Sequence, residues 1–249
     1  MYNYLSPTEL ASTEHKPVDK VTDKEALQIL LNSQRRAVEV VFENIDKIKN
    51  VVDQIFDHLK STDYGRLIYV GAGTSGRVAV QDGVELFPTF GWPKSRFDFI
   101  IAGGKRALTS SVENAEDDLV KANLSIEKLK VSKHDVVIGL AASGNTPFTT
   151  QVLKMSEKLG SLTIGISNNP NSAMTNNLGN CIILNTGAEV IEGSTRLKAG
   201  TSQKICLNLI TTLLMIKFGK IIEGKMTNLV ATNKKLRDRK KRIETFLNK

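Results

Sequence analysis

The sequence predicts an α/β fold in which a parallel sheet of five strands is covered by helices. Short apolar segments, each followed by a turn signal, supply the strands at residues 66–70, 97–102, 135–142, 162–167 and 181–184. Because these segments are almost continuously apolar, they are typical of strands that are buried on both faces. Segments of helical composition alternate with them at residues 75–86, 110–129 and 147–159. Such alternation favours parallel strands joined by right-handed crossovers.

Helical extensions flank the predicted sheet. Apolar residues recur at helical spacing over residues 23–60, which we expect to break into two or more helices, and again over 196–218 and 226–247. We therefore divide the chain into an N-terminal helical extension, a central α/β domain and a C-terminal basic helix. These three parts span residues 1–56, 57–220 and 221–249.

The composition is that of a folded chain without a nucleic-acid footprint. Of the 249 residues, 41% are hydrophobic and 24% are charged, which is ordinary for globular domains. The net charge of +8 is concentrated in residues 234–242, where seven basic residues accompany one acidic residue. No aromatic side chain interleaves with them, as a protein that binds single strands would require. We therefore expect a solvated helix and no nucleic-acid partner.

The cysteines and the N-terminal segment favour a cytoplasmic protein. Cys181 and Cys206 lie in apolar surroundings and form no C-x-x-C pair. We expect buried free thiols, which suit a reducing compartment. No basic region followed by an apolar core marks a signal peptide, and no apolar run is long enough to span a membrane. We therefore expect no membrane partner.

A glycine-rich turn at residues 71–77 (GAGTSGR) directly follows the first predicted strand. Its glycines allow the backbone to approach an anion, and the next helix offers free N–H groups. The G-x-G-x-x-G spacing also suits a dinucleotide, which would need an acidic residue at the end of the second strand. That strand ends instead in residues 103–106 (GGKR). Since a basic pair suits a 2′-phosphate, a dinucleotide site stays open at this point.

A second turn of the same chemistry, residues 141–147 (AASGNTP), follows the third predicted strand. The carboxyl ends of parallel strands share one edge of a sheet, so the two turns favour one phosphate site built from hydroxyls and backbone N–H groups. The alternative is a pair of ordinary turns whose polar residues cap helices. The candidate binding residues at the two turns are Gly73, Thr74, Ser75, Ser143, Gly144, Asn145 and Thr146.

Carboxylates are the candidates for proton transfer. The histidines, His15, His58 and His134, are isolated in the sequence, and we expect no metal site. Glu85 follows the helix that begins at the first turn, and a cluster of acids lies at residues 113–118 (ENAEDD). On composition alone, each of these acids is better explained as a solvated helix residue than as a catalyst.

Six motifs follow one another along the chain. They are GAGTSGR (71–77), AGGKRAL (102–108), VENAEDD (112–118), AASGNTP (141–147), EVIEGSTRLKAGTSQK (189–204) and ATNKKLRDR (231–239). In this order and spacing they resemble the N-acetylmuramic acid 6-phosphate etherases, and the similarity extends over about residues 18–240. The run STRLKAGT at 194–201 is specific to this family and to the related glucokinase regulatory proteins.

The resemblance implies a sugar isomerase-type, phosphosugar-binding domain that acts as a homodimer. It implies a carbon–oxygen lyase that cleaves the D-lactyl ether of N-acetylmuramic acid 6-phosphate, giving N-acetylglucosamine 6-phosphate and D-lactate. This reaction belongs to amino sugar catabolism and peptidoglycan recycling. In the family it is an elimination followed by addition of water, and it needs neither a metal nor an organic cofactor.

The resemblance also assigns roles to individual residues. Glu85 matches the acid that protonates the departing lactate, and Glu116 matches the base that removes the C2 proton. Elimination beside an aldehyde needs one carboxyl group protonated and the other ionised. Ser194, Thr195 and Lys198 are expected to line the same cleft as the two phosphate-contacting turns.

The chain departs from the family pattern near the predicted reaction centre. Residues 83–88 read GVELFP where the family usually has ASECPP, Asn145 replaces an arginine, and Lys105 replaces a glutamate. We expect phosphate binding to be retained and substrate identity to depend on these positions. Two alternatives stay open: a non-catalytic sugar-phosphate sensor, and an aldose–ketose phosphosugar isomerase.

Overall fold

The computed structural model describes residues 6–231 and 234–247. Its main sheet is formed by β1 (Leu67–Gly71), β2 (Phe97–Ile101), β3 (Val136–Ala141), β4 (Leu162–Ser167) and β5 (Cys181–Ile183). The strands run parallel in the order β2-β1-β3-β4-β5. The predicted five-stranded parallel sheet is confirmed, and every strand lies within one residue of its predicted limits.

Helices cover both faces of the sheet and extend beyond it. They are α1 (Asp23–Glu43), α2 (Ile45–Lys60), α3 (Gly73–Val84), α4 (Leu86–Phe90), α5 (Leu119–Leu129), α6 (Pro147–Lys158), α7 (Ala173–Asn177), α8 (Lys198–Lys217) and α9 (Lys234–Leu247). Two short strands, β6 (Ile221–Ile222) and β7 (Lys225–Met226), form an antiparallel hairpin between α8 and α9.

The hydrophobic core lies on both faces of the sheet, because successive side chains of a strand alternate between the faces. On one face, Tyr69 and Ile138 pack with residues of α1, α2, α3 and α8. On the other face, Ile68 and Val137 pack with residues of α5 and α6. Every residue of β1 and β3 is buried. This two-sided burial explains why the strands are continuous apolar runs in the sequence.

Two helices begin later than the sequence predicts. The helix predicted at 110–129 begins only at Leu119, as α5. Asn114 has a left-handed φ of 56°, which interrupts any helix there, and the Asp118 side chain caps α5 by accepting a backbone N–H of its first turn at 2.8 Å. The first residue of the helix predicted at 226–247 lies instead in strand β7 of the hairpin, and the observed helix, α9, begins only at Lys234. In both cases the segment of helical composition is longer than the helix, because a cap or a turn sets where the helix begins.

The C-terminal half of α3 is held firmly against the sheet and α8. The Lys204 ammonium donates to the buried Asp82 carboxylate at 2.7 Å, and the Tyr69 hydroxyl donates to the same carboxylate at 3.3 Å. Gly83 faces the ring of Phe97, with which any Cβ would collide. These contacts determine where the residue after α3, Glu85, is held.

The N-terminal extension packs directly on the sheet. Val40 of α1 and Ile55 of α2 belong to the same core cluster as the strands. The predicted division at 56/57 falls within α2, and the one at 220/221 falls between α8 and β6; both stay predictions. Among the residues that the structure describes, no helix is long and apolar enough to cross a membrane.

Candidate active site

A cavity of about 500 Å³ lies at the carboxyl edge of the sheet. β1 and β3 are neighbours, and the helices that follow them leave to opposite faces, α3 towards α8 and α6 towards α5. In open α/β sheets, such a switch point leaves a crevice in which ligands bind. The segments that follow β1, β2 and β3 line this cavity, together with the turn before α8.

The first glycine-rich turn, between β1 and α3, brings the backbone to the cavity. Gly73 has a left-handed φ of 52°, and a Cβ at Gly71 would be 2.8 Å from the backbone N of Gly76. Glycine is therefore required for this sharp exit of the chain. Thr74 and Ser75 line the cavity, and neither hydroxyl has a hydrogen-bond partner within residues 6–231 and 234–247.

The second turn, between β3 and α6, adds Ser143 and Thr146 to the cavity wall. Gly144 has a φ of 69°, and a Cβ there would collide with the hydroxyl of Ser172. The Ser143 Oγ accepts the N–H of Asn145 at 3.1 Å, which leaves its own proton available to a ligand. Thr146 precedes α6 without capping it through its side chain.

Two helix N-termini without side-chain caps therefore face the same space. α3 follows Ala72 and α6 follows Thr146, and neither side chain accepts a hydrogen bond from the first turn of its helix. The free N–H groups and the positive ends of the helix dipoles attract an anion. The two turns contribute four hydroxyl-bearing residues to the lining of this space: Thr74, Ser75, Ser143 and Thr146. This arrangement suits a phosphate group better than it suits two independent helix caps.

Glu116 supplies a carboxylate to the cavity. It lies in a short 3-10 turn, Ala115–Asp117, and its side chain is exposed towards the cavity. A Cβ at Gly73 would be 3.3 Å from the Oε1 atom of Glu116. The loop that leads to Glu116 is held by Arg77, whose guanidinium donates to two loop carbonyls at 2.8 and 3.2 Å. The carboxylate therefore lies directly against the backbone of the first turn.

The structure does not bring Glu85 to this cavity. Glu85 is exposed at the C-terminal end of α3, whereas the cavity lies at the N-terminal end of that helix. At the helical rise of 1.5 Å per residue, Glu85 is separated from Gly73 by about 18 Å. A monosaccharide phosphate bound at the two turns does not span this distance. Glu85 and Glu116 of one chain therefore do not face the same bound sugar.

Of the remaining predicted binding residues, some line the cavity and others do not. Ser194 and Thr195 line the cavity, as expected. Gly144 and Asn145 belong to the second turn but do not line the cavity. The Asn145 side-chain oxygen instead accepts the N–H of the first residue of α7 at 2.8 Å. Lys198 faces a different cavity on the other side of the turn before α8. Lys198 therefore does not line the same cleft as Ser194, contrary to the expectation from the sequence.

Sequence reasoning missed a third carboxylate, Glu9, which lines the cavity from the N-terminal segment. Its neighbour Thr8 is fully buried and exchanges two hydrogen bonds with Asn169, at 3.2 and 2.9 Å. Asn169 also donates to the carbonyl of Ala142 in the second turn at 2.9 Å. No local pattern marks Glu9, because its position depends on this contact between distant parts of the chain.

Arg196 is the second charged residue that sequence reasoning missed. It lines the cavity, is exposed, and makes no ion pair or hydrogen bond among the residues that the structure describes. Its place inside the STRLKAGT motif, next to Thr195, is a signal that could have identified it. In the described part of the chain, no group of three or more His, Cys, Asp and Glu side chains is placed to hold a metal ion.

Known domain families and solved structures agree with this architecture. The model of the glucokinase regulatory protein N-terminal SIS domain matches residues 47–157, and the SIS domain model matches residues 121–217. A phosphoheptose isomerase from Francisella tularensis has a TM-score of 0.57 at 17% identity, covering 79% of this chain and 98% of that chain. The Vibrio vulnificus NanR protein complexed with ManNAc-6P has a TM-score of 0.53 at 12% identity, covering 90% and 71%. These two structures show the shared fold alone.

Curated relatives are similar over nearly the whole chain. The N-acetylmuramic acid 6-phosphate etherase of Mycoplasma mycoides subsp. mycoides SC is 42% identical over 232 residues, which is 93% of this chain and 76% of that protein. The etherase of Oceanobacillus iheyensis is 43% identical over 237 residues, which is 95% and 80%. With these similarities, and with five of the six predicted motifs contributing residues to one cavity, the chain belongs to the N-acetylmuramic acid 6-phosphate etherase family.

Proposed function

We propose that this protein is a carbon–oxygen lyase that cleaves the D-lactyl ether of N-acetylmuramic acid 6-phosphate to N-acetylglucosamine 6-phosphate and D-lactate. The observation that carries the proposal is the Glu116 carboxylate, which lies against Gly73 beside two uncapped helix N-termini. An anion site and a candidate base thus share one cavity. The names of the relatives support the same reaction.

The 6-phosphate binds between the two glycine-rich turns. Backbone N–H groups of α3 and α6 and the hydroxyls of Thr74, Ser75, Ser143 and Thr146 donate hydrogen bonds to its oxygens. Binding at this end positions the sugar carbons towards Glu116. Because the phosphate takes no part in the bond changes, its binding energy serves to orient the reacting carbons.

Glu116 acts as the base at C2 of the open-chain sugar. Its carboxylate forms no ion pair within the described ranges, so its oxygens are available to accept a proton. Removal of the proton beside the aldehyde forms an enolate, which expels the lactyl oxygen from C3. Water then adds to the unsaturated aldehyde, placing a hydroxyl at C3 and a proton at C2. The arrangement of a positioned carboxylate and a reacting C–H bond is general base catalysis.

The acid that protonates the departing lactate is Glu85 of a second copy of this chain. Within one chain, α3 separates Glu85 from the phosphate turns by about 18 Å. The role of acid therefore requires that the partner subunit's Glu85 enters the cavity. Lys204 and Asp82 hold this end of α3 firmly, which favours a defined position for an incoming carboxyl group.

An exposed apolar stripe on α1 supports association into a homodimer. Four large apolar side chains are more than half exposed: Leu27 (67%), Leu31 (71%), Val38 (58%) and Phe42 (77%). Their helical spacing places all four on one face of α1. A contiguous apolar face of this kind is typical of an interaction surface, and a second copy would remove it from water.

We place the reaction in the cytoplasm. Cys181 and Cys206 are both free, and Cys206 is fully buried. Burial raises the pKa of the Cys181 thiol to about 11, so this thiol is not reactive at neutral pH. Unpaired, unreactive thiols suit a reducing compartment, which supports a cytoplasmic location.

The direct test is D-lactate release from N-acetylmuramic acid 6-phosphate, followed with a coupled lactate dehydrogenase assay. We expect one D-lactate and one N-acetylglucosamine 6-phosphate for each substrate consumed. Saturable binding of the substrate with no lactate formed would identify a sensor instead. Conversion between ketose and aldose phosphates without lactate would identify an isomerase. Either result would overturn the proposed reaction.

Replacing Glu9 with glutamine should lower kcat/KM about tenfold, because a charged acceptor of hydrogen bonds is lost. Glu9 faces the bound sugar from the N-terminal turn, where its carboxylate accepts a hydroxyl or acetamido N–H. The side chain is exposed, so we expect no change in the melting temperature. Steady-state kinetics and thermal unfolding measure the two effects.

The matched control for this variant is Asp19→Asn. Asp19 is an exposed acid of the same N-terminal region that lines neither this cavity nor the second cavity bordered by Lys198. Its replacement should leave kcat/KM unchanged. If Glu9→Gln behaves like Asp19→Asn, Glu9 makes no contact with the substrate.

A further inference from the structure

A second cavity, of about 650 Å³, lies on the other side of the turn before α8. Its walls are one side of α1, the N-terminal segment at Glu14 and His15, the loop at 185–187, and Lys198. It shares no lining residue with the candidate active site. The proposed lyase reaction therefore gives this cavity no role.

Lys198 is a buried cation whose ammonium group has no direct partner in the described part of the chain. It is only 5% exposed, and its Nζ forms no hydrogen bond or ion pair within residues 6–231 and 234–247. The buried Glu189 carboxylate accepts the backbone N–H groups of Lys198 and Ala199 at 3.3 and 2.9 Å, and the Lys198 charge stabilises this carboxylate without a direct ion pair. A buried, unpaired charge is costly, and an anion in the cavity would offset that cost.

Two neutral polar atoms in the same wall also lack partners. The Ser33 Oγ and the His15 Nε2 are buried without a hydrogen bond in the part of the chain that the structure describes. The His15 Nδ1 lies 2.8 Å from the carbonyl oxygen of Lys16, to which it donates in the neutral ring. That tautomer leaves Nε2 as an acceptor, so it suits a ligand hydroxyl. Ser33 can donate to or accept from the same ligand.

The charged side chains that line the cavity are three cations, Arg35, Arg36 and Lys198, and two carboxylates, Glu14 and Glu39. Arg36 forms ion pairs with two glutamates of α1, Glu43 at 2.6 Å and Glu39 at 3.5 Å, so it is not available to a ligand. Arg35 and Lys198 make no direct ion pair among the described residues. The exposed Glu14 lines the same cavity, and the buried Glu189 lies close enough to Lys198 for their charges to interact. An anionic ligand would therefore meet two cations, Arg35 and Lys198, whose side chains make no direct ion pair among the described residues.

We propose that this second cavity binds a small hydroxylated anion, of the class of sugar phosphates and sugar acids. Lys198 and Arg35 bind the anionic group, and His15 and Ser33 bind hydroxyls. Because Lys198 belongs to the same turn as Thr195, a ligand here lies directly behind the wall of the active cavity. The site is distinct from the substrate site and does not depend on the lyase assignment.

The test separates the two cavities by mutation. In a Ser143→Ala/Thr146→Ala protein the first cavity has lost two hydroxyls, so binding there is weakened, and loss of the remaining binding on replacement of Lys198 or Arg35 identifies the second cavity. Isothermal titration calorimetry with 6-phosphogluconate, N-acetylglucosamine 6-phosphate and gluconate should show one equivalent per chain for at least one probe. Adding Lys198→Met should weaken that binding about tenfold or more, since a charge-assisted hydrogen bond is lost while the aliphatic stem is kept.

Two further variants make the result decisive. Arg35→Gln changes an exposed residue of the cavity rim, so it should weaken binding without affecting folding. Lys154→Met removes an exposed lysine of α6 that lies outside both cavities, and it should change nothing. Absence of binding by all three probes would overturn the proposal. Equal affinity before and after both Lys198→Met and Arg35→Gln would do so as well.

Discussion

Replacing Glu116 with glutamine should reduce the rate of D-lactate release by about 10³-fold, which is within the range that a general base contributes. Glutamine keeps the size of the side chain but cannot take a proton from C2. The carboxylate lies against Gly73 at the phosphate turn and is exposed, so the change should leave both phosphate binding and folding intact. We expect the loss in kcat, with little change in the affinity for N-acetylglucosamine 6-phosphate.

Glu113→Gln is the matched control, because Glu113 is an exposed glutamate of the same acidic motif that does not line the cavity. Its activity should equal that of the wild type. Exchange of the C2 proton with solvent deuterium, followed by NMR, distinguishes the base from other roles. Unchanged exchange in Glu116→Gln would show that another group removes this proton.

Mixing two inactive variants, Glu85→Gln and Glu116→Gln, should restore about a quarter of the wild-type activity. In random assortment about half of the dimers contain one subunit of each kind. One cavity of such a dimer combines an intact Glu116 with the partner subunit's intact Glu85, and the other cavity has lost both groups. The result follows from the length of α3, which keeps the two glutamates of one chain apart.

The mixture must be unfolded and refolded together, so that subunits exchange, and native mass spectrometry should show the mixed dimer. Each variant refolded alone is the control and should stay inactive. Mixed dimers without recovered activity would show that the two glutamates do not complete one site across the dimer. Full activity of Glu85→Gln alone would show that Glu85 is not the acid.

Several features of the site were predictable because they depend on neighbouring residues. A glycine-rich turn after a buried strand exposes helix N–H groups wherever such a turn occurs. The positions of Thr74 and Ser143 therefore followed from the motifs, and both line the cavity. Glu116 required the family resemblance, since composition alone favoured a solvated acid over a catalyst.

Other features were beyond sequence reasoning because they depend on contacts between distant segments. Glu9 reaches the cavity only because the buried Thr8 bonds to Asn169, which lies 161 positions along the chain. Lys198 and Thr195 are three residues apart, yet they line different cavities, since the chain turns into α8 between them. Neither hydrophobic periodicity nor a sequence motif predicts which cavity a side chain in such a turn will face.

By itself, the sequence determined the parallel sheet, the two glycine-containing turns and the family, because strand burial and turn formation depend on residues that are consecutive in the chain. Only the tertiary structure decided which acids share a cavity. It placed Glu9 and Glu116 in the lining of one cavity and left Glu85 at the far end of α3. The physical reason is that the fixed rise of a helix keeps its two ends at a set distance, whereas tertiary packing brings together segments that are far apart in the sequence.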